Sequence, residues 1–221
     1  MCRVRVIESF IKNVEKEEFK DKKILEVGSR YINGSVRPLI ERFCSPKEYI
    51  GIDIEHGKFV DIILPAEKLT KYFGFESFDV VISTELLEHV KDWRLVITEM
   101  KNVLKRGGYI YITTCSKGFP YHAYPYDFWR YEANDLKKIF SDFNILTIEK
   151  DPELGVFLKA KKPKNYTPVD LSHISLYSII LGQRTNRIPE LRDMPLSRKF
   201  LLFLKIKKDT LFQKLKLRLI T

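Results

Sequence analysis

The sequence predicts an α/β fold, and three observations predict it. Short apolar segments alternate with amphipathic helical ones, the apolar segments are rich in branched residues, and the last two lie only a few residues apart. Strand–helix alternation requires crossover connections and therefore a parallel sheet, whereas a close final pair must fold back as an antiparallel hairpin. The expected architecture is a mostly parallel seven-stranded sheet with a closing antiparallel strand and helices on both faces.

In chain order, Ile7, Phe10, Ile11 and Val14 recur at helical spacing and predict an amphipathic helix. Lys23–Val27 is a short apolar strand, followed by a glycine-containing loop and a helix from about Ser35, with Pro38 in its first turn where a missing N–H costs little. Glu48–Ile54 reads as the next strand, with Asp53 at its tip, and Val60–Leu64 as a third. Phe78–Ser83 carries the run Val80, Val81, Ile82 expected of a strand buried on both faces. Asp92 caps a helix whose Trp93, Val96, Ile97, Met100, Val103 and Leu104 share one side. Arg106, Gly107 and Gly108 are expected to end that helix before a strand at Tyr109–Thr114. A long aromatic loop spans Cys115–Tyr131, and a helix bearing Leu136, Ile139 and Phe140 follows. Strands at Asn144–Lys150 and Gly155–Ala160, separated around Pro152, complete the sheet.

Residues 1–163 thus form one domain, and residues 164–221 a basic, partly amphipathic extension. Within the extension, Leu171, Ile174, Tyr177 and Leu181 predict a short helix over Asp170–Gly182, and Pro189 and Pro195 mark a linker-like stretch. From Leu196 onward eight Lys or Arg stand against the single acid Asp209, so most of the chain's net charge of +10 sits there. That segment has an apolar stripe whether drawn as helix or strand. It suits an anionic membrane surface, nucleic acid, the catalytic domain or a second copy in a homodimer. Cys2, Cys44 and Cys115 form no paired motif, which suits a reducing compartment. With no apolar signal core and no long apolar run, the expected location is cytoplasmic, including peripheral attachment to a membrane.

Ligands of open α/β sheets bind at the carboxyl ends of the strands. The first such loop reads Glu26-Val-Gly28-Ser29-Arg30-Tyr-Ile-Asn33-Gly34-Ser35, where Gly28 lets backbone approach a ligand. It is not the glycine pattern of a dinucleotide site. Asp53 can accept hydrogen bonds from ribose hydroxyls.

The segments ILEVGSRYINGSVR, YIGIDIEHGKFVDII, FDVVISTELLEHV and LKRGGYIYITT, in this order across Lys22 to Lys161, resemble the successive motifs of class I S-adenosylmethionine-dependent methyltransferases, especially the small-molecule group. The resemblance implies a Rossmann-like fold and S-adenosyl-L-methionine as cofactor. It implies that Glu26, Gly28 and the Ser29 backbone hold the methionine end, Asp53 the ribose, Ile54 and the Ala66 N–H the adenine, and that Thr84 lines the pocket below the sulfonium. Arg30 stands where the family often has a second glycine, so its side chain must turn out of the loop. Pro65 stands where an acid often contacts adenine, and Glu67 is the substitute.

Methyl transfer to a hydroxyl needs alignment and a base. His89, in Glu85-Leu-Leu-Glu88-His89, is one candidate, with helix capping or a carbonyl contact as its alternative role. His122 is the other. Its loop resembles the HxYPxDxWR signature of a methyltransferase subgroup, which implies an active-site lid. Tyr121, Tyr124 and Trp129 offer a stacking wall for a sugar or planar acceptor, and Asp127 and Arg130 are spaced to pair within the same substrate loop. Phe128 and Trp129 have the alternative role of covering the sheet end. No Asn/Asp-Pro-Pro-Tyr or Pro-Cys motif points to base methylation, and the scattered His56, His89, His122 and His173 show no metal-ligand spacing, so no metal is expected. The leading expectation is methyl transfer to oxygen of a small-molecule or glycan acceptor. An RNA or protein methyltransferase recruited by the basic tail, and a non-catalytic cofactor-binding module, are its rivals.

Overall fold

The computed structural model describes residues 4–123 and 125–200. Expectations for Tyr124, for Cys2 and for the basic segment beyond residue 200 lie outside the described residues.

The chain opens with α1 (Val4–Asn13), then β1 (Lys23–Val27), α2 (Arg37–Cys44), β2 (Glu48–Asp53), the short β3 (Ile62–Ile63) and α3 (Leu69–Phe73). There follow β4 (Phe78–Thr84), α4 (Trp93–Val103), β5 (Leu104–Cys115), the two-residue β6 (Trp129–Arg130) and α5 (Ala133–Ile139). The main sheet closes with β7 (Asn144–Asp151) and β8 (Gly155–Lys161), and β9 (Leu176–Ser178) and β10 (Gln183–Thr185) come last. The seven-stranded sheet has the order β3-β2-β1-β4-β5-β8-β7. Its first five strands pair in parallel, while β8 runs antiparallel to both β5 and β7.

Two apolar layers sandwich the sheet. On one face Leu25, Val27 and Val81 pack with Trp93, Val96, Ile97 and Met100 of α4 and Leu136 of α5. On the other, Ile24, Val80 and Ile82 meet Val6 and Phe10 of α1 and Ile40 of α2. The alternation Ile24 against Leu25 is the period-two signature of a strand between two layers. Asp92 caps α4 as expected, accepting a hydrogen bond from the Leu95 N–H at 3.2 Å.

Three expectations are corrected. The buried stripe of α1 is Val6 and Phe10, and Ile11 is 57% exposed, because the partner is the Phe19–Tyr111 pair, whose rings lie 6.0 and 5.3 Å from that of Phe10. The turn after α4 is shorter than predicted: β5 begins at Leu104, and Arg106-Gly107-Gly108 is accommodated as a register shift against β4, with Gly107 at φ +81°. The helix expected over Asp170–Gly182 is instead the hairpin β9–β10, which joins β6 in a separate three-stranded sheet. Leu176 and Ile180 are fully buried there, and helical spacing gave way because the strand partner comes from the aromatic loop. Leu171 and Met194 join the same core, so residues 164–199 cover the α4–α5 side of the sheet. Among the described residues no helix is long and apolar enough to cross a membrane.

Candidate active site

The carboxyl ends of β1, β2 and β4 open into one cavity of about 480 Å³, within the roughly 300–1,000 Å³ typical of small-molecule sites. Gly28, Asp53, Ile54, Ala66 and Glu67 line it, as do Arg30 and Leu86. Gly28 sits at φ +80°, and an added Cβ would fall 3.0 Å from Leu86 Cδ1, so both the turn and the close approach require glycine. Asp53 accepts the Arg30 N–H at 3.3 Å and the Glu55 N–H at 3.2 Å, contacts that hold its carboxylate at the strand tip. Ile54 is 63% exposed at the rim, an apolar platform beside that acid. The Arg30 side chain does turn out of the loop: it forms an ion pair with Glu55 and packs over Gly57.

Glu26, Ser29 and Thr84 are placed elsewhere. On β1, Glu26 shares the face of Ile24, so its carboxylate points away from the cavity and accepts the buried Tyr49 hydroxyl at 2.9 Å. The Gly28 and Ser29 N–H groups both donate to the Ile52 carbonyl at 2.9 Å, and the Ser29 hydroxyl points to the same oxygen, so these donors are committed to the fold. Thr84 is buried on the face of Val80 and Ile82; the next residue, Glu85, lines the cavity. Glu85 has φ +53°, a backbone conformation few side chains adopt outside glycine. Sequence reasoning passed over it because strand alternation assigns faces only once the end of the strand is known.

Burial of the Glu26 carboxyl, opposed by the Tyr49 hydrogen bond and Arg37, raises its pKa from 4.5 to about 7. The native state keeps the proton across that window and the unfolded chain releases it, so stability falls as pH rises from 4.5 to 7, by about 3 kcal/mol in all. Glu26→Gln should match the wild type in denaturant melts below pH 4.5 and surpass it above pH 7. A stability difference independent of pH would contradict this account.

Two further loops border the cavity. His89 lines it, and the His122 ring lies edge-on to it, with centroids 4.8 Å apart. His89 Nδ1 is 2.5 Å from the Tyr126 carbonyl oxygen. His122 Nδ1 faces two acceptors, Asp127 Oδ2 at 3.2 Å and the Pro120 carbonyl at 3.3 Å. Each Nδ1 is therefore the donor nitrogen of its ring, and each Nε2 is left for another partner. Burial lowers the His89 pKa, although Glu88 opposes it. Glu88 is wholly buried and accepts Thr114 Oγ1 at 2.8 Å and Cys115 Sγ at 3.2 Å.

The rest of the aromatic loop is scaffold. Asp127 and Arg130 pair as expected, at 2.5 and 2.8 Å, but across a turn leading into a strand, and both are 0% exposed. Arg130 also donates to the Phe119, Pro120 and Trp129 carbonyls. Trp129 is buried, with its indole N–H on the Lys91 carbonyl at 3.1 Å. Asp127, Trp129 and Arg130 are thus buried and do not line the cavity, and Tyr121 is half-buried against the core. Tyr126 and Phe128 supply the aromatic lining instead.

Residues 3–150 match a family described as a methyltransferase domain. The chain belongs to that family. Two (S)-coclaurine N-methyltransferases share shorter stretches. That of Papaver somniferum is 28% identical over 82 residues, 37% of this chain and 23% of that protein. That of Thalictrum flavum subsp. glaucum is 25% identical over 104 residues, 47% and 28% respectively. The chain spans about a quarter of the length of these curated relatives. Among solved structures, the Burkholderia thailandensis 1,6-didemethyltoxoflavin-N1-methyltransferase, bound to 1,6-didemethyltoxoflavin and S-adenosylhomocysteine, superposes with TM-score 0.55 at 11% identity over 72% of this chain and 76% of that one. A SAM-dependent methyltransferase from Aquifex aeolicus gives 0.52 at 16% over 70% and 88%. The [4+2]-cyclase SpnF gives 0.56 at 15% over 72% and 81%. The fold is the Rossmann-like methyltransferase fold. A cyclase shares this fold, so the fold alone does not set the chemistry of this methyltransferase-family chain.

Proposed function

We propose that this chain catalyses methyl transfer from S-adenosyl-L-methionine to oxygen of a small-molecule or glycan acceptor. The observation that carries the proposal is one cavity lined by an acid beside an apolar platform and by His89, whose ring His122 backs edge-on. Asp53 accepts the ribose hydroxyls, Ile54 and Ala66 hold the adenine, Glu67 faces the adenine edge, and the Gly28 backbone leaves room for the methionine arm. When bound, the cofactor supplies an electrophilic methyl: a bond forms from the acceptor heteroatom to the methyl carbon, and the carbon–sulfur bond breaks with its electron pair left on sulfur. His89 and His122 engage the acceptor hydroxyl and draw off its proton, either directly or through a group they hold. Tyr126 and Phe128 shape the acceptor's apolar contacts.

Nitrogen is the second reading, favoured by the names of the two plant relatives and of the Burkholderia enzyme. Calorimetry with S-adenosylhomocysteine should show one tight site, and absence of binding would overturn the proposal. Methyl-labelled cofactor offered to hydroxylated and amine acceptors separates oxygen from nitrogen. Label appearing in RNA or protein would favour macromolecular methylation, and label in no acceptor a binding module.

A further inference from the structure

We propose that Glu88, His89 and His122 form a divalent-metal site at the acceptor end of the cavity, with Glu85 as an adjoining carboxylate donor. One ligand atom from each of Glu88, His89 and His122 lies within 4.8 Å of the others, and the same spacing joins Glu85 to Glu88. This inference rests on the methyl-transfer reading of the cavity and gives the two imidazoles a definite task there.

The ring orientations carry the argument. A ligating histidine usually donates its other ring N–H to a carbonyl or carboxylate, which fixes the tautomer and turns the lone pair toward the metal. Both rings here are held in that way. His89 Nδ1 is engaged by the Tyr126 carbonyl at 2.5 Å, and His122 Nδ1 by Asp127 at 3.2 Å. Asp127 is in turn locked by two Arg130 hydrogen bonds, so the carboxylate–imidazole–metal relay has a rigid base. Glu88 is oriented in the same fashion, by Thr114 Oγ1 at 2.8 Å.

The arrangement leaves room for a cation. His89 Nε2 lies 4.0 Å from Glu88 Oε1. The two atoms are separated by about twice the usual metal–ligand distance of roughly 2.0–2.1 Å. Modest side-chain rotation brings both onto one ion. Cys115 donates its thiol hydrogen to Glu88 and so supports the site without joining it. Imidazole and carboxylate together suit a borderline ion such as Zn²⁺, Co²⁺, Fe²⁺ or Mn²⁺. Because His89 and Glu85 line the cavity, the open coordination positions face the acceptor. The ion binds the acceptor oxygen and promotes loss of its proton to water in the open cavity, so neither histidine is the final base.

The test uses the full chain stripped of metal with a chelator, then titrated with Co²⁺ while visible absorption and calorimetry are followed. One equivalent should bind, with visible bands of nitrogen–oxygen ligation. His89→Ala and His122→Ala should each weaken binding by at least about tenfold, while the exposed His173→Ala leaves it unchanged. His122→Gln serves if the alanine variant fails to fold, as judged by circular dichroism. S-adenosylhomocysteine binding by the stripped protein reports the cofactor site separately. Stripped protein that binds S-adenosylhomocysteine but not Co²⁺, or Co²⁺ binding insensitive to both histidines, overturns the metal site. Co²⁺ binding without S-adenosylhomocysteine binding would sink only the methyl-transfer reading.

Discussion

Arg130→Ala should cost about 3–5 kcal/mol of stability, the loss expected when one partner of a buried ion pair is removed. The guanidinium is fully buried and makes five hydrogen bonds, two to Asp127 and one each to the Phe119, Pro120 and Trp129 carbonyls. Alanine leaves the Asp127 charge buried with only the His122 N–H, at 2.8 Å, as a main-chain donor, and strips three carbonyls of this partner. In a chain of 221 residues the melting temperature should fall on the order of 10 °C. The double variant Asp127→Asn with Arg130→Met should be less damaged than Arg130→Ala alone, since it removes the buried charge as well. A melting temperature for Arg130→Ala within about 2 °C of wild type would show that the pair does not hold the loop.

Asp53→Ala should weaken S-adenosylhomocysteine binding by at least about a hundredfold while leaving the melting temperature of the free protein nearly unchanged. A carboxylate that accepts two ribose hydroxyls makes charge-assisted hydrogen bonds of about 1.5–3 kcal/mol each, and every 1.4 kcal/mol or so is tenfold in affinity. Stability is spared because the two N–H groups that Asp53 accepts, from Arg30 and Glu55, are at a solvent-accessible strand end. Asp53→Asn should fall between, keeping one acceptor oxygen without the charge. Calorimetry measures both variants. An affinity changed by less than about threefold would remove Asp53 from the cofactor site and leave Glu55 or Glu67 as the acid to test.

These two sites differ in how far the sequence exposes them. Asp53 was legible because it ends a strand that is recognisable by local pattern, and strand tips are where open α/β sheets bind ligands. Gly28 was legible for the same reason. For Arg130 the spacing shows only a pairing with Asp127 within the substrate loop and not the depth at which the pair lies. In the folded chain β9 pairs with Trp129–Arg130 and seals that segment inside. That partner lies far along the chain and carries no local sign of its destination.

By itself the sequence determined the layer architecture, the parallel strands with their closing antiparallel hairpin, the loop at Gly28 and the acid at Asp53. Each follows from periodicity and turn chemistry over a few neighbouring residues. Only the tertiary structure decided which way side chains one residue apart would face: Glu26 toward Tyr49, Thr84 into the core and Glu85 into the cavity. Only it brought His89, after β4, against His122, after β5, with Glu88 beneath. Parallel strands set neighbouring loops side by side at one sheet edge, so residues distant in sequence become donors to one point in space. No spacing rule within a single segment encodes that meeting.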